Sequence, residues 1–178
     1  DTVNEEMQRL MQLINDLLNF SRYQNGLQKL TLAPCSIEDL LAQAQLRFAD
    51  LAVEKGIDLT VEIQGPLPRL QADQAQLERV LDNLIDNALR HTARDGQIRL
   101  QARRHGERVI ISVEDNGEGI AYGQQGRIFE PFVQVGRKKG GAGLGLALCK
   151  EIVQLHGGRM GVYSRPGQGT QFYMALAV

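Results

Sequence analysis

Tryptophan is absent from this chain, aromatic residues make up only 5% of it, and its 178 residues include just two cysteines and three histidines. Cys35 and Cys149 stand in no CxxC or metal-type spacing. That excludes a disulfide framework and a zinc module, and it fits two free thiols in a reducing, cytoplasmic setting. The isolated histidines form no Ser-His-Asp or metal-histidine pattern. No apolar run approaches the ~20 residues of a membrane helix, and no signal peptide is visible. A net charge of −1 removes the electrostatic case for nucleic acid as the main partner. The sequence opens on Asp1 rather than Met, which reads as a piece of something longer whose remainder holds any membrane segments. What is present is a hydrophobic content of 43%, a charged content of 23% and 19 glycines, enough for one compact soluble domain with an appendage.

Residues 1 to about 24 read as a helix with Val3, Met7, Leu10, Ile14 and Leu17 in a 4-3-4-3 stripe widened by Met11 and Leu18. That period is the seam of a coiled coil or four-helix bundle. The competing reading is a helix packed on its own domain. Because no partner helix lies in this chain, the stripe is expected to find it in another copy. Gly26 suits a left-handed cap, and 28–34 reads as a short strand. Ser36 caps a helix to about Lys55, ended by Gly56; Ile57 to Ile63 alternates as a strand. Pro66 and Pro68 precede a short extended piece, Arg69 to Ala72. Asp73 caps a helix over 74–92. Asp95-Gly96 and His105-Gly106 mark turns, so 97–104 and 107–115 form a hairpin. A glycine-rich stretch follows, then a helix at 143–156 and strands at 159–164 and 169–177. His156, at that helix's end, suits the dipole as a cation. The class is α+β: a two-layer sandwich of a mixed sheet covered on one face by about three helices, preceded by one bundle helix.

Four separated segments carry the chemistry. On the 74–92 helix, Leu77, Leu81, Leu84 and Ala88 mark the buried face, whereas Asn83, Asn87 and Arg90 share another. Asparagine competes with the helix backbone for hydrogen bonds, so two aligned on one face suit either a solvated surface or amide oxygens for a hard cation such as Mg²⁺, with Arg90 beside phosphates. His91 adjoins that face and is open to a ligand contact or a structural role. Along 107–115, Val109, Ile111 and Val113 point one way and Asp115 is next in the period. A carboxylate at the end of an apolar row needs a donor; the exocyclic amine of adenine is one, and a turn with Asn116-Gly117 is the other reading. Gly117 and Gly119 leave room for a flat base to approach the backbone. Phe129, Pro131 and Phe132 suggest a lid or, equally, a small core under a long loop. Arg127, Arg137, Lys138 and Lys139 put positive charge nearby. Gly141, Gly143 and Gly145 run into a helix N-terminus, which offers N–H groups to phosphate or forms a hinge. The loop lacks the Gly-Lys-Ser/Thr ending of a P-loop, and no βαβ unit precedes it.

These segments resemble the catalytic region of bacterial sensor histidine kinases over nearly the whole chain. Asn83–Asn87 (NLIDN) matches the family's N box, Asp115–Gly119 (DNGEG) its G1 box, Ile128–Phe132 (IFEPF) its F box and Gly141–Gly145 (GAGLG) its G2 box. Pro166–Thr170 (PGQGT) matches its terminal glycine-threonine element, and residues 1–26 look like the second helix of the dimerisation and phosphotransfer hairpin. The resemblance implies the Bergerat fold shared with gyrase, heat-shock chaperone and mismatch-repair ATPases, with 27–178 as the ATP-binding catalytic domain. It implies Asn87, assisted by Asn83, on Mg²⁺, and Asp115 on the adenine amine with Thr170 nearby through water. Further ATP contacts fall on Arg90, His91, Gly117, Gly119, Ile120, Phe129, Phe132, Gly141, Gly143, Leu144, Gly145 and Leu146.

Hydrolytic relatives carry a glutamate four residues before the metal asparagine; here that residue is Asn83, which cannot serve as a base. The expected activity is therefore that of a protein-histidine kinase, passing the γ-phosphate of ATP to a histidine for relay to a response-regulator aspartate. Implied partners are that acceptor histidine, the receiver domain and a second copy through the first helix, in the cytoplasmic part of an inner-membrane-anchored sensor. The sequence departs from the family in two ways. His91-Thr, His105-Gly and His156-Gly do not match the acceptor motif (His-Glu/Asp-x-Arg/Lys), and Ala121-Tyr-Gly follows Ile120 where proline is frequent. A non-catalytic nucleotide-sensing module is the alternative, and a hydrolysing ATPase is disfavoured by Asn83.

Overall fold

The computed structural model describes residues 2–131, 133 and 144–178. Its elements are α1 (Thr2–Gln24), β1 (Ala33–Cys35), α2 (Ile37–Lys55), β2 (Asp58–Gln64), β3 (Leu70–Ala72), α3 (Gln74–His91), β4 (Gln97–His105), β5 (Arg108–Asp115), α4 (Tyr122–Gln125), α5 (Gly145–Leu155), β6 (Arg159–Arg165) and β7 (Gly169–Ala177). The main sheet has the order β2-β4-β5-β7-β6. Only β2 and β4 run parallel; the other neighbours are antiparallel. This is the expected α+β sandwich.

Alternation builds the core. Ile98, Leu100 and Ala102 of β4, Val109, Ile111 and Val113 of β5, and Phe172, Met174 and Leu176 of β7 all point to one side and are buried. They meet Leu40, Leu41 and Ala44 of α2, Leu77, Leu81, Leu84 and Ile85 of α3, and Leu148, Ile152 and Val153 of α5. Full burial of each such aliphatic side chain contributes about 1.5–3 kcal/mol. The other side of the sheet is polar, with Arg99 against Glu62 at 3.3 Å.

The helix ends are set as their sequences dictate. Ser36 Oγ accepts from Asp39 N at 3.3 Å and Asp73 Oδ1 from Gln76 N at 3.3 Å, caps worth about 1 kcal/mol each. Gly56 closes α2 at φ +68°, a conformation that costs glycine little. Two expectations change. The strand expected over 28–34 forms only at 33–35, because its partner β3 is three residues long and Asp73 already begins α3; Thr31 N donates instead to Asp73 Oδ2 at 2.9 Å. His156 is not a cation on the helix dipole. Asp73 N donates to its Nε2 at 3.0 Å, so the ring's proton sits on Nδ1 and goes to Ile152 O at 2.9 Å. The ring thereby ties the end of α5 to the start of α3.

The apolar stripe of α1 stays uncovered in a single chain: Met7 is 57%, Leu10 52%, Ile14 48% and Leu17 45% exposed. A different part of the helix docks. Phe20 and Leu13 meet Leu144 and Ala147 at the start of α5, while Tyr23 enters the main core and its hydroxyl donates to Gln76 Oε1. Burial pushes the Tyr23 phenol up to about 12.

Candidate functional site

The C-terminal end of β5 is where the chain puts a charge at the edge of its core. Asp115 is 6% exposed and pairs across the ladder with Thr170 of β7. Burial pushes its carboxyl above the usual carboxylate range, while N–H groups of Gly117 and Thr170 and the nearby His91 pull the other way. The Gly117 bond is 2.9 Å. Beside it, Asn116 Oδ1 accepts from Gln97 N at 2.8 Å and seals the end of the β4–β5 hairpin.

The glycines here serve the protein's own packing first. A Cβ on Gly117 would stand 2.1 Å from His91 O, and one on Gly119 (φ +73°) 2.2 Å from Arg165 O. Glycine at these positions is what lets the loop lie against both α3 and the β6–β7 turn. Gly169 (φ +101°) does the same against Asp115 O, at 2.0 Å. Ser164 then ties the loop to β7. Its Oγ accepts from Ile120 N at 2.8 Å, donates to Gly169 O at 2.9 Å and lies 2.9 Å from Thr170 Oγ1. Gln125 Nε2 donates to Ile120 O at 2.9 Å and Ser164 O at 3.0 Å. Sequence reasoning missed Ser164 and Gln125, and named Gly169 only within the Pro166–Thr170 element. Serine and glutamine carry no pattern of their own, whereas the Gly169-Thr170 pair was the available signal.

Together these elements wall a cavity lined by Asn87, His91, Asp115, Glu118, Gly119, Ile120, Leu146, Thr170 and Phe172. Ile120, Leu146 and Phe172 are apolar walls; Asp115 and Thr170 are the polar groups at its end. A buried carboxylate facing an apolar slot suits a flat heterocycle that donates a hydrogen bond. Phe129 stacks edge-on against Phe172, with ring centroids 6.1 Å apart. It is already part-buried on the core, so it backs the cavity wall and is not a lid awaiting a ligand.

The expected asparagine face divides. Asn87 lines the Asp115 cavity, whereas Asn83 lines a separate polar cleft between α1 and α3, with Gln12, Asn15, Asp16, Asn19, Glu78, Arg79 and Asp82. Among the described residues Asn83 Nδ2 is buried with no hydrogen-bond partner. The fully buried Cys149 thiol, pushed up to about 12 by burial, is close enough to feel it but too weak an acceptor to satisfy it. Gly145 sits against the same amide, its Cβ position 3.7 Å from Asn83 Oδ1. Arg90 lines neither space; its Nη2 holds Asp86 Oδ2 at 2.9 Å on the same helix. Leu144 is also away from the cavity, buried against α1 with Phe20. Phe132, Gly141 and Gly143, with Arg137, Lys138 and Lys139, lie outside the described residues.

Among the described residues no three His, Cys, Asp or Glu side chains gather as a metal cage. Mg²⁺ does not need one, since it takes one or two protein oxygens and completes its shell with water and phosphate. The Asn87 carboxamide fits that role. No helix of the described residues is long and apolar enough to cross a membrane.

Comparison with known proteins agrees with this geometry. The family described as histidine kinase-, DNA gyrase B- and HSP90-like ATPase matches residues 72–178. The alginate biosynthesis sensor protein KinB of Pseudomonas aeruginosa is 67% identical over 99% of this chain and 30% of its own length. The sensor histidine kinase RppB of Synechocystis sp. is 36% identical over 99% of the chain and 40% of its length. The chain thus spans less than half of these relatives. Among solved structures, full-length ShkA in complex with AMPPNP superposes with a TM-score of 0.90 at 38% identity, covering 98% of this chain and 37% of that one. With a buried carboxylate, an apolar slot and matched sequence over 72–178, the chain belongs to the histidine kinase-, DNA gyrase B- and HSP90-like ATPase family.

Proposed function

We propose that this chain is the ATP·Mg²⁺-holding catalytic part of a sensor histidine kinase, presenting the γ-phosphate to a histidine outside the chain for relay to a response-regulator aspartate. The observation that carries this reading is the Asp115 cavity: a buried, desolvated carboxylate at the end of an apolar slot, with Asn83 standing where a hydrolase needs a base. Asp115 accepts from the adenine amine, and Ile120, Leu146 and Phe172 cover the base. Asn87, assisted by Asn83 one turn earlier, offers carboxamide oxygens at the phosphate end. Mg²⁺, when bound, neutralises charge on the phosphates. The chain's contribution is positioning: it fixes the nucleotide and contributes no covalent step.

On this reading residues 1–26 are the second helix of the dimerisation hairpin and 27–178 the catalytic domain. The uncovered stripe of α1 then pairs with a second copy, and the whole belongs to the cytoplasmic portion of a membrane-anchored bacterial sensor. The test is a calorimetric ATP titration with and without Mg²⁺, run beside a steady-state ATPase assay. The expected outcome is tight Mg²⁺-dependent binding, negligible hydrolysis and no phosphohistidine on the chain itself. Phosphohistidine, or steady turnover of ATP, would contradict it.

A further inference from the structure

The proposed function gives no role to Glu118, the one charged side chain of the loop that reaches the cavity alongside Asp115. Its position is closely specified. Glu118 N donates to His91 O at 3.3 Å, and Glu118 Oε1 lies 2.8 Å from His91 Nδ1. The two side chains are 32% and 18% exposed, so water competes only partly for the bond. Gly117 keeps the contact close, because any Cβ there would strike His91 O.

An ionised carboxylate only accepts hydrogen bonds, so Nδ1 carries a proton and Nε2 is the ring's remaining polar atom. Among the described residues Nε2 bonds to nothing. A ring pinned at Nδ1 cannot turn over without losing that bond, so Nε2 is offered in one orientation before any ligand arrives. On the cavity wall His91 follows Asn87 by one helical turn and stands near enough to Asp115 to act on its charge. It therefore sits between the base end and the phosphate end.

We infer that Glu118 is a positioning residue for nucleotide binding, holding His91 so that its Nε2 accepts from a sugar hydroxyl or, when the ring carries both protons, donates to a phosphate oxygen of the nucleotide. This rests on the nucleotide reading of the cavity. The test is a double-mutant cycle on the whole chain, with ATP·Mg²⁺ and adenosine titrated into the parent, Glu118→Ala, His91→Ala and the double variant. Each single change should weaken ATP binding roughly fivefold, the double should be no weaker than His91→Ala alone, and adenosine affinity should hardly move if phosphate is the target. A parallel loss for adenosine assigns the contact to the sugar instead. Glu118→Gln, whose carboxamide oxygen still accepts from Nδ1, should retain most of the affinity. Nitrogen NMR of the His91 ring in the unaltered chain gives an independent readout: Nε2 should shift on adding nucleotide while Nδ1 stays. Additive losses in the double variant, or an Nε2 signal indifferent to nucleotide, overturn the inference while leaving the nucleotide reading intact. Failure of the parent chain to bind ATP overturns that reading and the inference with it.

Discussion

The two ends of α3's polar face differ in how complete they are. At the His91 end the surroundings of Asp115 are tightly packed: glycines admit the loop, Ser164 and Gln125 tie it down, and Phe172 with Ile120 walls the slot. Even there, the buried hydroxyl of Thr92, next to His91, has no partner among the described residues. At the Asn83 end, about two helical turns earlier, a buried amide has no partner among the described residues and the cleft beside it is lined by polar side chains of two helices. A folded chain tolerates an unsatisfied buried donor at a cost of about 1–3 kcal/mol, and such sites cluster where a ligand completes the set. The difference teaches that folding closes the Asp115 end of this face more fully than the Asn83 end, where a buried donor is left for an acceptor from outside the described residues.

The sharpest way to break the comparison is to disturb the finished end. Gly117→Ala drives a methyl group into His91 O and should destabilise the chain by about 3 kcal/mol, read as a shifted denaturant midpoint. Gly145→Ala, whose new methyl meets Asn83 only at 3.7 Å and lies in a helix, should leave stability unchanged or raise it by about 0.5–1 kcal/mol. Equal effects of the two would erase the distinction.

Asp115→Asn comes next. It should lower ATP affinity about tenfold or more without unfolding the chain. Because burial raises the Asp115 pKa, the folded state holds its proton to higher pH than the unfolded state does. The group's contribution to stability is therefore present below the ordinary carboxylate pKa and is lost as pH rises through the raised one. Asp115→Asn should remove that falling limb from a plot of stability against pH; an unchanged profile would remove the strain assigned to this carboxylate.

Asn83→Ala probes the unfinished end. Deleting the orphaned amide should leave stability unchanged or raise it by about 1 kcal/mol, while the extra affinity that Mg²⁺ gives to ATP shrinks. A clear loss of stability would show that the amide is satisfied after all. The smallest effect on nucleotide binding belongs to Phe20→Ala, which empties only the minor cluster with Leu144 and Ala147. It should cost about 1–2 kcal/mol, speed hydrogen exchange across α1, and leave nucleotide affinity at the Asp115 end unchanged.

Much of the finished end was legible in the sequence, since period-2 alternation carried Asp115 to the end of the Val109-Ile111-Val113 row and Ser36, Gly56 and Asp73 announced their helix boundaries. The reason for the glycines was not, because the backbone atoms that exclude a Cβ at Gly117 and Gly119 come from α3 and the β6–β7 turn, remote in sequence. The same limit hid Ser164 and Gln125. Helical spacing alone groups Asn83, Asn87 and Arg90, and it has no knowledge of α1, which claims Asn83's surroundings, or of Asp86, which holds Arg90. Phe129 reads equally as a lid or as a small core because its own loop is polar; its partner Phe172, which decides for the core, lies far along the chain. His156 looked like a dipole cation until Asp73 N supplied the donor that fixes its tautomer.

The most direct test of the proposed base end at Asp115 and phosphate end at Asn83 is an ADP titration without Mg²⁺ into three chains. The parent and Asn83→Ala should bind ADP equally well, and Asp115→Asn about tenfold or more weakly. Equal binding by Asp115→Asn and the parent, or loss of binding confined to Asn83→Ala, would contradict it.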